Sequence, residues 1–357
     1  MPERFWVIEV VTRWNTPHDP GGQGSIPREY RSLYIPGMGT RIVATNLSVP
    51  PDVETSHQVA QKTGRTAEWI ADVTGVRSRH VSPCMKDPAV LAAQAARPLI
   101  ATHGAPDCVI YCGAIPRQML PDLSVFVHRE LRLKATPAFS VNMACLSFVS
   151  ALITADALIQ RGLYRRVLLC VAELASRGRN FNEPESASLL GDGAAAVLIE
   201  HVDGPSCIRH SHLETWSEGA DLAGLRGGGT MREPDDPETK ADDHRFFMLG
   251  DQLLRVTVPR LRTFLDKFIK DCGVAQENIQ LIVPHQPSGP ALRLLTRWGF
   301  EESRVINIIS RYGNCVAASM PMALATASSE GRLHRGDNVL LLGTAAGISL
   351  GAAMLVW

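Results

Sequence analysis

Three residues combine a reactive type with a telling setting: Cys145 in "FSVNMACLSFVSAL", His285 in "LIVPHQPSG" and Asn314 in "RYGNCVAAS". Cys145 follows a strand-like run and opens a long apolar helix. Unpaired backbone N–H groups and the positive dipole end favour an anion at a helix N-terminus. The expectation is therefore a lowered thiol pKa and a thiolate, the reactive form. Taken singly, each residue also has an ordinary structural reading. A buried cysteine is a small hydrophobe, a histidine ending a strand is commonly structural, and an asparagine before a helix is commonly a cap. Together they suit one chemistry. A thiolate takes an acyl group from a thioester. A second thioester, malonyl on its carrier, loses CO₂, and the enolate oxygen left behind needs hydrogen-bond donors. Imidazole Nε2–H and the amide N–H both donate. The enolate then attacks the acyl-cysteine and releases a β-ketoacyl product.

Residues so far apart in the chain need a frame that brings them together, and an internal duplication supplies one. "PDCVIYCGAIP" (106–116) matches "IQLIVPHQPSG" (279–289), and "NMACLSFVSALITADAL" (142–158) matches "GNCVAASMPMALATASS" (313–329). "RRVLLCVAELA" (165–175) matches "GDNVLLLGTAA" (336–346), and more weakly "GAAAVLIE" (193–200) matches "GAAMLVW" (351–357). The order is the same in both halves, so repeat detection decides the architecture. The reading is two similar α/β halves packed by pseudo-twofold symmetry, with strands apolar on both faces inside layered sheets. The helices opening near Cys145 and Asn314 carry almost no charge, so both are expected between the sheets. Their N-termini, equivalent under the repeat, should converge on one centre that the strand end at His285 also faces.

Composition is that of a globular protein: 357 residues, 45% hydrophobic and 20% charged. Lys plus Arg equals Asp plus Glu at 36 each, which gives no support for nucleic-acid or membrane-surface binding. The eight cysteines contain no C-x-x-C pair and sit mostly in apolar runs, so disulfides, structural zinc and any other metal site are not expected, and the chain reads as reduced and cytoplasmic. No apolar stretch reaches the roughly 18 residues of a membrane span without a charge or turn residue, and "MPERFWVIEVV" does not read as a signal peptide. We expect a loop-rich extension over 1–32, an N-terminal half over 33–205 and a C-terminal half over 206–357. "SLYIPGMGTRIVATN" should form a strand, a turn and a second strand. "RGGGTMREPDDPETKADDHRF" reads as a surface loop, or as a loop that shapes a substrate tunnel.

These motifs resemble the thiolase superfamily and, within it, β-ketoacyl-acyl-carrier-protein synthase III. "VNMACLSFVSAL" is similar to that family's nucleophile segment, "VPHQPSG" to its histidine motif and "YGNCVAASMPMAL" to its asparagine motif. "GDGAAAVLI" and "GTAAGISLGAAML" resemble the glycine-rich strands that close each half, "AEWIADVTGVRSRH" the early helix and turn, and "FMLGDQLLRVTV" the helix lining the pocket. The resemblance runs from about residue 33 to 357. It implies a thiolase-like α/β fold of duplicated halves in an α-β-α-β-α sandwich, with Cys145 as nucleophile and His285 and Asn314 assisting decarboxylation. The backbone N–H groups of Cys145 and Ala346 would form the oxyanion hole. Trp69, Leu120, Met248, Gly250 and Ser288 would line substrate pockets. No cofactor is implied; acyl-CoA or acyl-carrier-protein and a malonyl thioester are the substrates, and acyl carrier protein is the partner. A homodimer is also implied, with the loop "IPRQMLPD" closing the partner's acyl pocket.

Departures from the family pattern point to a specialised relative in fatty-acid or polyketide metabolism. Val73 replaces the arginine that often faces the tryptophan at 69, Ser288 stands where an asparagine is usual, Ala346 replaces a glycine, and the N-terminal extension has no counterpart. Besides condensation, two readings stay open: transfer of the acyl group from Cys145 to an alcohol or amine, and a non-catalytic subunit. Retention of Asn314 favours condensation, and retention of Cys145 disfavours the last.

Overall fold

The doubly apolar runs of the sequence become buried strands, and the uncharged helices lie between them. The computed structural model describes residues 38–357; the extension expected over 1–32, and the first of the two strands expected in "SLYIPGMGTRIVATN", lie outside the described residues. The chain runs β1 (Met38–Ser48), β2 (Asp52–Thr55), α1 (Ser56–Thr63), α2 (Ala67–Thr74), β3 (Ser78–Val81), α3 (Pro88–His103) and β4 (Cys108–Tyr111). Next come α4 (Leu123–Glu130), β5 (Ala138–Ser140), α5 (Ser147–Gln160), β6 (Arg166–Leu174), α6 (Pro184–Leu189) and β7 (Asp192–Asp203). It continues with β8 (Ile208–Gly219), β9 (Ala223–Gly224), β10 (Phe247–Met248), α7 (Gly250–Cys272), β11 (Leu281–Pro284) and α8 (Gly289–Arg297). The last elements are α9 (Ile309–Tyr312), α10 (Ser319–Ser329), β12 (Asn338–Ala345) and β13 (Gly347–Val356).

The two main sheets have the same topology. The first is ordered β1-β7-β6-β4-β5 and the second β8-β13-β12-β11. In each, the first two pairings are antiparallel and the third is parallel. The fifth strand of the first sheet, β5, runs parallel to β4. The second sheet keeps a vestige of it, a single parallel bridge between Ile282 and Val305. One core joins both sheets through α5 and α10, with Ile110, Leu169 and Val197 on one side, and Val283, Leu341 and Ala353 on the other. Every residue of α10 from Ser319 to Ala327 is buried. A second core packs α3 and α4 on the outer face of the first sheet, and a third packs α7 on the outer face of the second. The result is an α-β-α-β-α sandwich. The glycine-rich, charged stretch over 226–246 carries neither strand nor α-helix and is mostly exposed, as a surface excursion should be.

The duplication extends to single hydrogen bonds and corrects its own register. In the sequence, the apolar helices align with Asn142 opposite Gly313. In the structure, Asn142 corresponds to Asn314. Asn142 Oδ1 accepts from the Ala144 N–H at 2.9 Å, and Asn314 Oδ1 from the Val316 N–H at 2.8 Å. Ala144 and Val316 both have φ 48°, a left-handed conformation costing a non-glycine residue about 1–2 kcal/mol. Ser147 Oγ accepts from the Met143 N–H, and Ser319 Oγ from the Cys315 N–H, each at 2.9 Å. The counterpart of Cys145 is thus Ala317. The helices proper start later than expected, at Ser147 and Ser319.

Ser147 and Ser319 are fully buried, so removing either hydroxyl leaves an orphaned backbone N–H. Ser147→Ala and Ser319→Ala should each cost about 1–3 kcal/mol, read from urea unfolding. A change within experimental error would mean that the N–H finds another acceptor.

Candidate functional site

The two repeated turns place Cys145 and Asn314 at the centre of the sandwich, and the end of β11 brings His285 to them. All three line one cavity of about 250 Å³, together with Met248, Gly250, Ser288 and Ala346. Those seven predicted positions are brought together; Trp69 and Leu120 are not among the residues lining it. Trp69 is half-buried on α2, and the guanidinium of Arg65, 4.9 Å from the ring centroid, covers one face of the indole. Leu120 is 84% exposed on the loop after β4.

Each polar group is held by its neighbours. The His285 N–H donates to the Leu342 carbonyl at 2.9 Å, which extends the β11–β12 pairing by one residue. Gln286, fully buried, fixes the turn that follows. Its Nε2 donates to the Pro284 and Ile306 carbonyls, both at 3.0 Å, and its Oε1 accepts from the Ile308 N–H at 2.9 Å. Pro287 carries no N–H, and His285 Nδ1 has no hydrogen-bond partner among the described residues. Asn314 spends its Oδ1 on the Val316 N–H and points Nδ2 toward the Pro287 carbonyl at 3.5 Å, so one amide N–H stays free for a ligand. Ser288 lines the cavity and also caps α8, accepting from the Ala291 N–H at 3.3 Å.

The electrostatics overturn one expectation. Cys145 lies two residues before α5, half-buried at the cavity, and its thiol is pushed up to about 12. Burial is the main cause, and the nearby Glu173 carboxylate acts in the same direction. Hydrogen bonds from the backbone N–H groups of Cys145 and Ala346 pull the other way without winning. The helix end stabilises an anion by too little to offset removal from water. The resting group is therefore a thiol flanked by two N–H donors, not a thiolate. Burial also lowers His285 to about 4, so its imidazole is neutral near pH 7.

Glu173 was missed from the sequence. It is a lone acid inside the apolar strand β6, fully buried, and a charge in such a run is a signal that could have found it. Its carboxylate accepts from the Ala114 and Ile115 N–H groups at 2.5 and 3.1 Å, and the Ala317 N–H also faces it. Even so, burial raises its pKa to about 8.

Two pH dependences follow. The rate of Cys145 alkylation by iodoacetamide should climb about tenfold per pH unit from about pH 7 to pH 10; a plateau below about pH 8 would refute the high thiol pKa. The histidine acts on stability. Between 6.5, its ordinary value, and about 4, the unfolded chain binds a proton that folded His285 refuses. Stability should therefore fall by about 3 kcal/mol as pH drops through that window. His285→Asn should flatten this slope in urea unfolding compared at about pH 7 and about pH 5.

Comparison with known proteins agrees with this geometry. Residues 139–217 match the family model for 3-oxoacyl-[acyl-carrier-protein] synthase III, and residues 269–357 match the model for its C-terminal part. The beta-ketoacyl-[acyl-carrier-protein] synthase III of Brucella anthropi is 31% identical over 299 residues, 81% of this chain and 90% of that protein. The synthase III structure from Thermus thermophilus is 31% identical, with a TM-score of 0.79 over 88% of this chain and 98% of that one. The Aquifex aeolicus structure is 26% identical, with a TM-score of 0.81 over 89% of this chain and all of that one. With its duplicated halves and the cavity they share, the chain belongs to the 3-oxoacyl-[acyl-carrier-protein] synthase III family of the thiolase superfamily and is a condensing enzyme of the Claisen type.

Proposed function

We propose that this enzyme acylates Cys145 from an acyl thioester and condenses that acyl group with a malonyl thioester, with loss of CO₂. The observation that carries the reading is the meeting of Cys145, His285 and Asn314 at one cavity lined by no Lys, Arg, Asp or Glu among the described residues. In the first step the cysteine sulfur bonds to the acyl carbon. The carrier thiol leaves, and the thiol proton of Cys145 ends on it. Negative charge gathers on the carbonyl oxygen as the sulfur adds, and the N–H groups of Cys145 and Ala346 are the donors for it. In the second step the malonyl carboxylate departs as CO₂. The electron pair left behind forms an enolate, whose oxygen takes hydrogen bonds from neutral His285 and the free Asn314 N–H. The enolate carbon attacks the acyl-cysteine, the C–S bond breaks, and the sulfur takes up one proton from solvent. A neutral imidazole suits this role, because the donor must stabilise an oxyanion without first being ionised.

Two subunits complete the proposal. Met119 and Leu120 stand 68% and 84% exposed on the loop after β4. Such a bare apolar pair suits insertion into a second copy of the chain, where it would close the acyl pocket. An acyl carrier protein is the proposed donor of one or both thioesters. No helix among the described residues is long and apolar enough to cross a membrane, which fits the cytoplasmic setting we propose.

The test is intact-mass analysis with a panel of acyl-CoA and acyl-carrier thioesters, followed by malonyl-carrier. The expected result is an adduct on Cys145 that converts to a β-keto thioester and CO₂. An adduct that persists with malonyl-carrier, and clears only with alcohols or amines, would replace condensation by acyl transfer. Cys145→Ala should fold and form no adduct; acylation of another cysteine would remove the nucleophile role. Asn314→Ala should lower condensation roughly 10²–10³-fold while sparing acylation; equal loss in both would make Asn314 structural.

A further inference from the structure

Strand β6 is apolar from Val167 to Leu174 except at Glu173, and the proposed chemistry gives that acid no part. The fold does not ask for an acid there. The Cys112 N–H donates to the Cys170 carbonyl at 2.8 Å, as the His285 N–H does to Leu342. Cys170 therefore corresponds to Leu342 and Glu173 to Ala345, by the same one-residue slip as the turns. In the second sheet a small apolar side chain fills this position.

Burying a carboxyl group is costly unless hydrogen bonds compensate it. Here the compensation comes from backbone N–H groups: those of Ala114 and Ile115 at 2.5 and 3.1 Å, and that of Ala317. Ala317 lies in the single turn Val316–Ala318, which packs against β6. Its N–H belongs to the peptide that follows Val316. The peptide before Val316 supplies the N–H that fixes Asn314 Oδ1 at 2.8 Å. Val316 itself has φ 48°, a conformation that L residues avoid and that persists only where its surroundings hold it. Two consecutive peptides thus link Glu173 to the Asn314 amide. Glu173 does not itself line the cavity.

We propose that Glu173 is a positioning residue: by taking the Ala317 N–H it holds the turn that aims the free N–H of Asn314, and so governs decarboxylation of the malonyl thioester without touching it. The proposal rests on the reading of Asn314 as a donor to the enolate oxygen.

Two variants test it. Glu173→Gln keeps the volume but replaces one acceptor oxygen with a donor, and Glu173→Ala matches the counterpart at 345. Each should lower CO₂ release from malonyl-CoA roughly ten- to a hundredfold, while acetylation of Cys145 changes by less than about threefold. On an Asn314→Ala background the same substitutions should lower CO₂ release by less than about twofold further, because the group they act through is gone. Equal losses in both backgrounds, or acetylation falling as far as decarboxylation, would overturn the role. Hydrogen exchange supplies a readout that needs no catalysis. The segment 314–318 should exchange about tenfold faster in both variants, with 143–147 at its unaltered rate. If the unaltered enzyme releases no CO₂ from malonyl-CoA, the decarboxylative function falls. Faster exchange confined to 314–318 would then still keep Glu173 as the holder of that turn, and unchanged exchange would remove it. Failure of both variants to fold would leave Glu173 to the fold alone and overturn the proposal.

Discussion

A single buried carboxyl group ties the two halves of this molecule together. Glu173 is fully buried on a strand of the first sheet, and that burial raises its pKa to about 8, so the group is largely protonated near pH 7. Its compensation is a set of backbone donors drawn from both halves of the duplication: Ala114 and Ile115 from the first, Ala317 from the second. Buried N–H groups are costly to leave without an acceptor, so these hydrogen bonds matter. Those made here fix the turn after β4, from which the exposed Met119–Leu120 loop springs, and the turn that carries Asn314. When ionised, the same group adds to the burial that raises the thiol pKa of Cys145. One residue thus couples the packing of the halves to the electrostatics of the sulfur.

Seen from this carboxylate, the chemistry of the site is set by exclusion of water more than by helix dipoles. Burial keeps the thiol protonated and the imidazole neutral, and it leaves backbone N–H groups as the main polarity around the sulfur. Such a site holds its charges back until substrate arrives. Donors fixed in a dry environment need no reorganisation when negative charge forms, and the strained residues at 144 and 316 hold the turns that present them.

Much of the architecture was legible in the sequence because its signals are local and repeated. Apolar runs such as "RRVLLCVAE" can only be buried strands, and the lack of charge in "CLSFVSALITADALI" leaves only an interior place for α5. Cys145, His285 and Asn314 were legible because polar types at the ends of apolar elements stand out. What escaped depends on three-dimensional surroundings. The thiol pKa is decided by burial and by a carboxylate 28 positions away in the chain. The true register of the repeat is decided by side-chain hydrogen bonds, which an alignment of small apolar residues cannot distinguish from a slip of one. The stripe of α7 reads as an ordinary amphipathic helix; only the structure shows that its first half, without a buried residue, lines the cavity. Trp69, expected at a substrate pocket from the family resemblance, does not line this cavity, and Arg65 covers one face of its ring, a contact that residue types alone do not reveal.

The two repeated turns carry a further meaning. At Cys145 the backbone N–H lies at the sulfur, open to whatever charge a reaction brings there. At its counterpart Ala317 the same N–H faces the carboxylate of Glu173. The duplication has therefore kept one backbone device in two states of occupancy. One copy faces a buried carboxyl group of the protein itself and acts as a structural joint. The other lies at the sulfur of Cys145 and can receive a transient charge there. Asymmetry of function in a symmetric frame needs no difference in fold here, only a difference in which turn is already filled.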